Sequence, residues 1–117
     1  MFHSQMDDAN VPSLLSLPYL SFLPATDPTY LNTRKMLMSQ DGNPYYAKGE
    51  AFYGVGGPHE EGLLHPWPMA LVSLIMTSRD DEEIRGLLET IKGTTSGLGL
   101  VHESVSLARA LPLIWLV

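Results

Sequence analysis

The sequence predicts an all-α fold with long loops, and three observations carry that expectation. Acidic or amide residues placed just before a proline open helical stretches near residues 12 and 28. An apolar run at Trp67–Ser78 is followed at once by an amphipathic one that closes at Gly93. The connecting segment Tyr45–Pro66 is long and rich in glycine and aromatic residues.

The first element is a short helix from Pro12 to about Leu20. Asp8 and Asn10 precede Val11-Pro12, and a proline in the first turn loses nothing by lacking an N–H. Leu14, Leu15 and Leu17 would bury one side, and Pro18 should kink or end the helix. Asp27-Pro28 opens a second helix running to about Ser39, with Tyr30, Leu31, Arg34, Leu37 and Met38 near one face. Asp41-Gly42 and Asn43-Pro44 stop it.

In the segment that follows, Tyr45, Tyr46, Phe52 and Tyr53 stand among glycines. Aromatic faces suit sugar rings, and they suit a core equally well. Trp67–Ser78 is apolar almost all round, as expected of a helix buried on every side. Asp80 then caps a helix with Asp81, Glu82 and Glu83 in its first turn, where the helix dipole favours negative charge. Ile84, Leu87, Leu88 and Ile91 form its stripe, with Lys92 in the last turn and Gly93 at the end. One inner and one outer helix joined by a short turn make the repeating unit of an α-hairpin toroid.

Composition bounds the function. At 117 residues, with 44% hydrophobic and 17% charged, the chain fits one small globular domain. A net charge of −6 with only seven Lys and Arg disfavours nucleic acid as a partner. The absence of cysteine removes disulfides, thiolate nucleophiles and zinc knuckles. The amino end lacks a basic head and an apolar run, so no signal peptide is expected in this chain. No segment approaches the roughly 18–20 apolar residues of a membrane span, and the compartment stays open.

The chemistry concentrates at Gly97-Leu98-Gly99-Leu100-Val101-His102-Glu103-Ser104. Two glycines permit a tight turn, and an imidazole, a carboxylate and a hydroxyl follow in succession. On spacing alone two readings stand. Glu103 caps the next element and His102 is a satisfied polar group, or the pair sits in a pocket.

Six stretches in order carry a resemblance. Met6 to Leu15 (MDDANVPSLL), Asn32 to Lys35 (NTRK), Gly42 to Tyr46 (GNPYY), Gly56 to His59 (GGPH), Trp67-Pro68-Met69 and Gly99 to Ser104 (GLVHES) resemble successive motifs of glycoside hydrolase family 125. Those are metal-independent exo-α-1,6-mannosidases, and they include a fungal group of meiotically up-regulated gene products. The resemblance implies a partial (α/α)6 toroid of the six-hairpin glycosidase type, with residues 1–104 forming the C-terminal part of the catalytic toroid. It implies an inverting mechanism with Glu103 as general base, acting ionised on a water. Asp8, Asn10, His59, Trp67 and His102 are then candidates for orienting sugar hydroxyls or packing on the ring. The implied ligand is an α-mannoside or mannosylated glycan, with no cofactor and no metal.

Two departures accompany the match. The family's general-acid aspartate lies in a motif upstream of Asp7-Asp8-Ala9-Asn10, before this chain begins, so the chain alone is expected to be inactive. After Ser104 the family continues toward a Thr-Arg-Pro-Trp-Phe-Ala-Trp helix, whereas residues 105–117 form a divergent apolar tail. A truncated or frame-shifted gene product is the expected cause. An unfinished toroid leaves the inner helix and the tail uncovered, so self-association through apolar surface is expected as well.

Two alternatives belong to other classes. A non-catalytic remnant would bind carbohydrate or a longer paralogue without turnover. A metal-dependent hydrolase using His59, His65, His102 and Glu103 is weaker, because their spacing matches no compact ligand motif.

Overall fold

Packing is organised by one apolar helix, two amphipathic ones and a small β-ribbon that share one core. A computed structural model describes residues 8–9, 13–50, 52–58, 65–95, 97–105 and 107. In chain order it contains a 3-10 turn at Leu14–Ser16, helix α1 (Pro28–Leu37), strands β1 (Tyr46–Lys48) and β2 (Tyr53–Val55), and helices α2 (Pro68–Thr77) and α3 (Asp81–Lys92). The chain is therefore helix-rich with a two-stranded antiparallel sheet, in which Tyr46 pairs with Val55, Ala47 with Gly54 and Lys48 with Tyr53. The expectation of an all-α chain missed this ribbon. Its strands are three residues each, too short for an alternating pattern to stand out.

The first expected helix is also corrected. In place of a helix to about Leu20 there is a single 3-10 turn, and of the three leucines only Leu15 is buried. Ser16 explains the stop. Its hydroxyl donates to the Ser13 carbonyl at 2.8 Å and accepts from the Ser13 N–H at 3.0 Å, a local pairing that competes with helix continuation. Pro18 then supplies no donor for a further turn.

α1 begins as expected, with the Asp27 carboxylate accepting the Tyr30 N–H at 3.0 Å and Pro28 in the first turn. Its buried face is narrower than the expected stripe: Tyr30 and Leu37 are buried, whereas Leu31 is exposed. Asn43 closes the helix. Its Nδ2 donates to the Leu37 carbonyl at 2.9 Å and its Oδ1 accepts the Tyr45 N–H at 2.9 Å, which satisfies a helix-end carbonyl and sets the turn into β1.

α2 is buried along Ala70, Leu71, Ser73, Leu74 and Thr77, but not on every side, since Met69 and Met76 are about half exposed among the described residues. α3 packs on it and carries the cap, the acidic first turn and the terminal lysine that its sequence called for. Asp80 Oδ1 accepts the Glu82 N–H at 2.9 Å and the Glu83 N–H at 3.4 Å. Leu87 and Ile91 point into the core, and Leu88 is left exposed.

Two polar ties lock the helices together. The Tyr30 hydroxyl lies 2.8 Å from the Leu15 carbonyl and 3.0 Å from Thr77 Oγ1, joining the 3-10 turn, α1 and α2 inside the core. Arg34 forms a fork with Glu83, Nη1 to Oε1 at 2.8 Å and Nη2 to Oε2 at 3.0 Å, and Nη2 also reaches the Leu74 carbonyl. One guanidinium thus contacts α2 and α3 from α1. Among the described residues no helix is long and apolar enough to cross a membrane.

Partial burial pushes the Glu83 carboxyl up, but hydrogen bonds from Arg34 and Ser78 together with the Arg34 charge outweigh it and hold the group below its ordinary 4.5. A carboxyl depressed in the folded state stabilises above its unfolded value, and that contribution fades as pH falls through the folded value. The melting-temperature gap between the native chain and Glu83→Gln should therefore be widest above about pH 4.5 and close on further acidification. A gap that is constant from pH 7 to pH 3 would contradict the assignment.

Candidate active site

The candidate site is built on a junction of backbone hydrogen bonds. The Gly56 N–H donates to the Tyr45 carbonyl at 2.9 Å, and the Gly56 carbonyl accepts the Ala9 N–H at 2.8 Å. Beside it the Val55 carbonyl accepts the Trp67 N–H at 2.9 Å, and the Pro66 carbonyl accepts the Val105 N–H at 3.1 Å. Five stretches of chain, at residues 9, 45, 55–56, 66–67 and 105, are thereby tied together. Gly56 is required for the approach, since a Cβ there would stand 2.8 Å from the His65 carbonyl oxygen.

This junction fixes both ends of the site. Trp67 is placed as the residue that precedes α2, with extended backbone. Val105, fully buried, anchors the end of the glycine turn, and Ser104 beside it is buried too. Between Gly93 and that anchor the chain makes a turn closed by the Leu98 N–H on the Thr95 carbonyl at 2.9 Å. Gly97 and Gly99 take φ of 79° and 70°, as the sequence led one to expect of a tight bend there.

The result is an open cleft of about 480 Å³ lined by Ala9, Trp67, Met69, Val101, His102 and Glu103. Glu103 is exposed at its rim. His102 is half-buried, and its Nε2 is covered without a hydrogen bond to any described residue. Of the six expected site residues, Trp67, His102 and Glu103 share this cleft. Asp8 is buried immediately before Ala9, next to the cleft rather than lining it. Asn10 and His59 lie outside the described residues.

Sequence reading missed Met69, Val101 and Ala9 as lining residues, although each sits beside a residue it had singled out. The aromatic segment divides: Tyr45 and Phe52 are buried in the core, while Tyr46 and Tyr53 line a concavity with Lys35, Met38 and Leu87 away from Glu103. Burial pushes the Tyr46 phenol above its ordinary value, and the neighbouring Tyr53 adds to the shift. Another hollow, about 470 Å³, surrounds Arg34 and Glu83, but those charges satisfy one another and hold helices together. No group of three or more potential metal ligands occurs among the described residues, and His65 does not line the cleft.

The described residues thus form a helix-rich frame with an open cleft that has Trp67 in its lining and a carboxylate at its rim. The chain belongs to the metal-independent alpha-mannosidase family (GH125), whose model matches residues 2–111. It is 59% identical over 103 residues, 88% of its length, to the Meiotically up-regulated gene 157 protein of Schizosaccharomyces pombe, and covers 20% of that protein. It also matches, with a TM-score of 0.83 and 37% identity, a Streptococcus pneumoniae metal-independent alpha mannosidase solved in a non-productive substrate complex with alpha-1,6-mannobiose. That match covers 88% of this chain and 24% of the other. The chain thus spans about a fifth of the length of the curated relative and about a quarter of the solved one.

The turn that presents His102 and Glu103 depends on positive φ and not on room, since a Cβ at Gly99 meets nothing within 4 Å. Gly99→Ala should cost about 1–2 kcal/mol in thermal or denaturant unfolding, the cost of left-handed backbone for an L-residue. D-alanine placed there by chemical ligation should cost nothing measurable. Equal losses for the two enantiomers would show that the turn conformation is not what matters.

Proposed function

We propose that this chain supplies the general-base side of an inverting glycosidase site that removes terminal α-1,6-linked mannose. The observation that carries the reading is the sharing of one cleft by Glu103, His102 and Trp67, within a fold similar to a mannosidase solved with alpha-1,6-mannobiose. Glu103 takes a proton from the attacking water, and its exposure at the rim gives that water access. The Trp67 indole offers an apolar face to a pyranose ring, and half-buried His102 stands beside Glu103 in the cleft lining, where an imidazole can orient a sugar hydroxyl. Asn10 and His59 complete the binding set in this reading, with Asp8 buried beside the cleft and not in its wall.

The general acid is then a carboxyl supplied by a part of the fold outside these residues, about 6.5–9.5 Å from Glu103, the separation that leaves room for a water. Residues 1–104 form the closing part of an (α/α)6 toroid, with 105–117 as an apolar tail whose first residue, Val105, is anchored in the core. The about half-exposed Met76 on α2, which does not line the cleft, fits a surface that a neighbouring hairpin would cover. Without that neighbour, self-association through the same surface follows.

One observation favours a second reading. Among the described residues Glu103 is the sole carboxylate lining the cleft, and a site with one half of an acid–base pair binds a mannoside without hydrolysing it. On that reading the chain is a carbohydrate-binding or interaction remnant.

Grafting this segment into the Streptococcus pneumoniae alpha mannosidase, in place of its matching residues, separates the two. The chimaera should hydrolyse α-1,6-mannobiose, and Glu103→Gln should lower kcat by about 10²–10⁴ with unfolding free energy unchanged within about 0.5 kcal/mol. Full activity in the Glu103→Gln chimaera would refute the base assignment. An inactive but mannobiose-binding parent chimaera would favour the remnant.

A further inference from the structure

The walls of the cleft carry information that the acid–base chemistry does not use. Four of its lining residues, Ala9, Trp67, Met69 and Val101, are apolar, and the polar groups are the consecutive His102 and Glu103. Ala9 belongs to the buried core, whereas Met69 is 54% and Val101 58% exposed. Neither Met69 nor Val101 is part of the core cluster or packed against it as a partner. Their apolar surface is therefore presented to whatever fills the concavity.

Both are held there by separate segments. Met69 sits in the first turn of α2, two residues after Trp67, whose N–H is fixed on the Val55 carbonyl. Val101 immediately precedes His102 on the turn set by the positive φ of Gly97 and Gly99. The wall is thus built by the same two anchors that place the indole and the carboxylate.

We propose that Met69 and Val101 form the wall that selects which hexose stereoisomer occupies the cleft, by packing on the carbon-bound hydrogens of a mannopyranose. The inference rests on the α-mannoside reading above. A ring that turns C–H groups toward two aliphatic side chains buries apolar surface and leaves its hydroxyls to His102 and Glu103. A stereoisomer that turns a hydroxyl toward the same side chains loses a hydrogen bond to water and finds no replacement. Such a wall discriminates by at most about a hundredfold, because it rejects by omission and not by a mismatched hydrogen bond.

The test uses the 117-residue chain with methyl-labelled methionine and valine, titrated with α-1,6-mannobiose and separately with the α-1,6-linked glucose disaccharide. The Met69 and Val101 methyl signals should move saturably, at about tenfold lower concentration of the mannose disaccharide. The Met36 methyl, exposed on α1, should stay in place. In Met69→Gln with Val101→Asn, followed through the remaining methyls, the preference should shrink toward one, while the dispersion of those signals reports an intact fold. Silent Met69 and Val101 methyls, an equal response to both disaccharides, or a preference untouched by the substitutions overturns the wall. Moving methyls together with an active Glu103→Gln chimaera would remove the base and leave the wall standing. Silent methyls with an inactive Glu103→Gln chimaera would do the opposite.

Discussion

The structure depends on four backbone hydrogen bonds clustered at Gly56, Val55 and Pro66. They join residues whose sequence separation is large: Ala9 to Gly56, Gly56 to Tyr45, Trp67 to Val55 and Val105 to Pro66. Each pairs a donor and an acceptor that would otherwise lie under apolar cover, where an unsatisfied peptide group costs about 1–3 kcal/mol. Their importance for function is positional. The Trp67 bond sets the entrance to α2, and the Val105 bond fixes the end of the glycine turn, so the cleft between them is a consequence of the junction. Helix packing supports it from behind, through the Tyr30 hydroxyl and the Arg34–Glu83 fork.

What the sequence disclosed follows from the range of the forces involved. The caps at Asp27 and Asp80, the stop at Asn43 and the bend at Gly97 and Gly99 are local events, decided within a few residues, and the residues there name their own geometry. The contraction of the first helix to a 3-10 turn was local as well, but it hinged on Ser16 bonding back to Ser13, which competes with a helix by a margin that composition does not reveal. The β1–β2 ribbon is stabilised by contacts with α2 and by the junction, so its strands carry too little pattern of their own. Arg34 was legible as a member of a helical face, yet its partner lies 49 residues away and nothing local announces the pair.

The site shows the same division. Glu103, His102 and Trp67 could be singled out because their side chains are chemically conspicuous, and the fold gathers those three around one cleft. Met69 and Val101 are inconspicuous aliphatic residues whose role depends on where they stand. Asp8 illustrates the converse, a conspicuous carboxylate that the fold buries beside the cleft and not in its wall. Chemical type nominates candidates; the junction decides which of them face a ligand.

The dependence of the site on the junction is tested most directly by amide hydrogen exchange. The N–H groups of Ala9, Gly56, Trp67 and Val105 should exchange slowly and with a common opening free energy, and Gly56→Ala, which forces a side chain onto the His65 carbonyl, should accelerate exchange at all four positions together. Independent exchange rates for the four, or a Gly56→Ala variant in which Trp67 and Val105 keep their protection while Ala9 loses its own, would contradict that dependence.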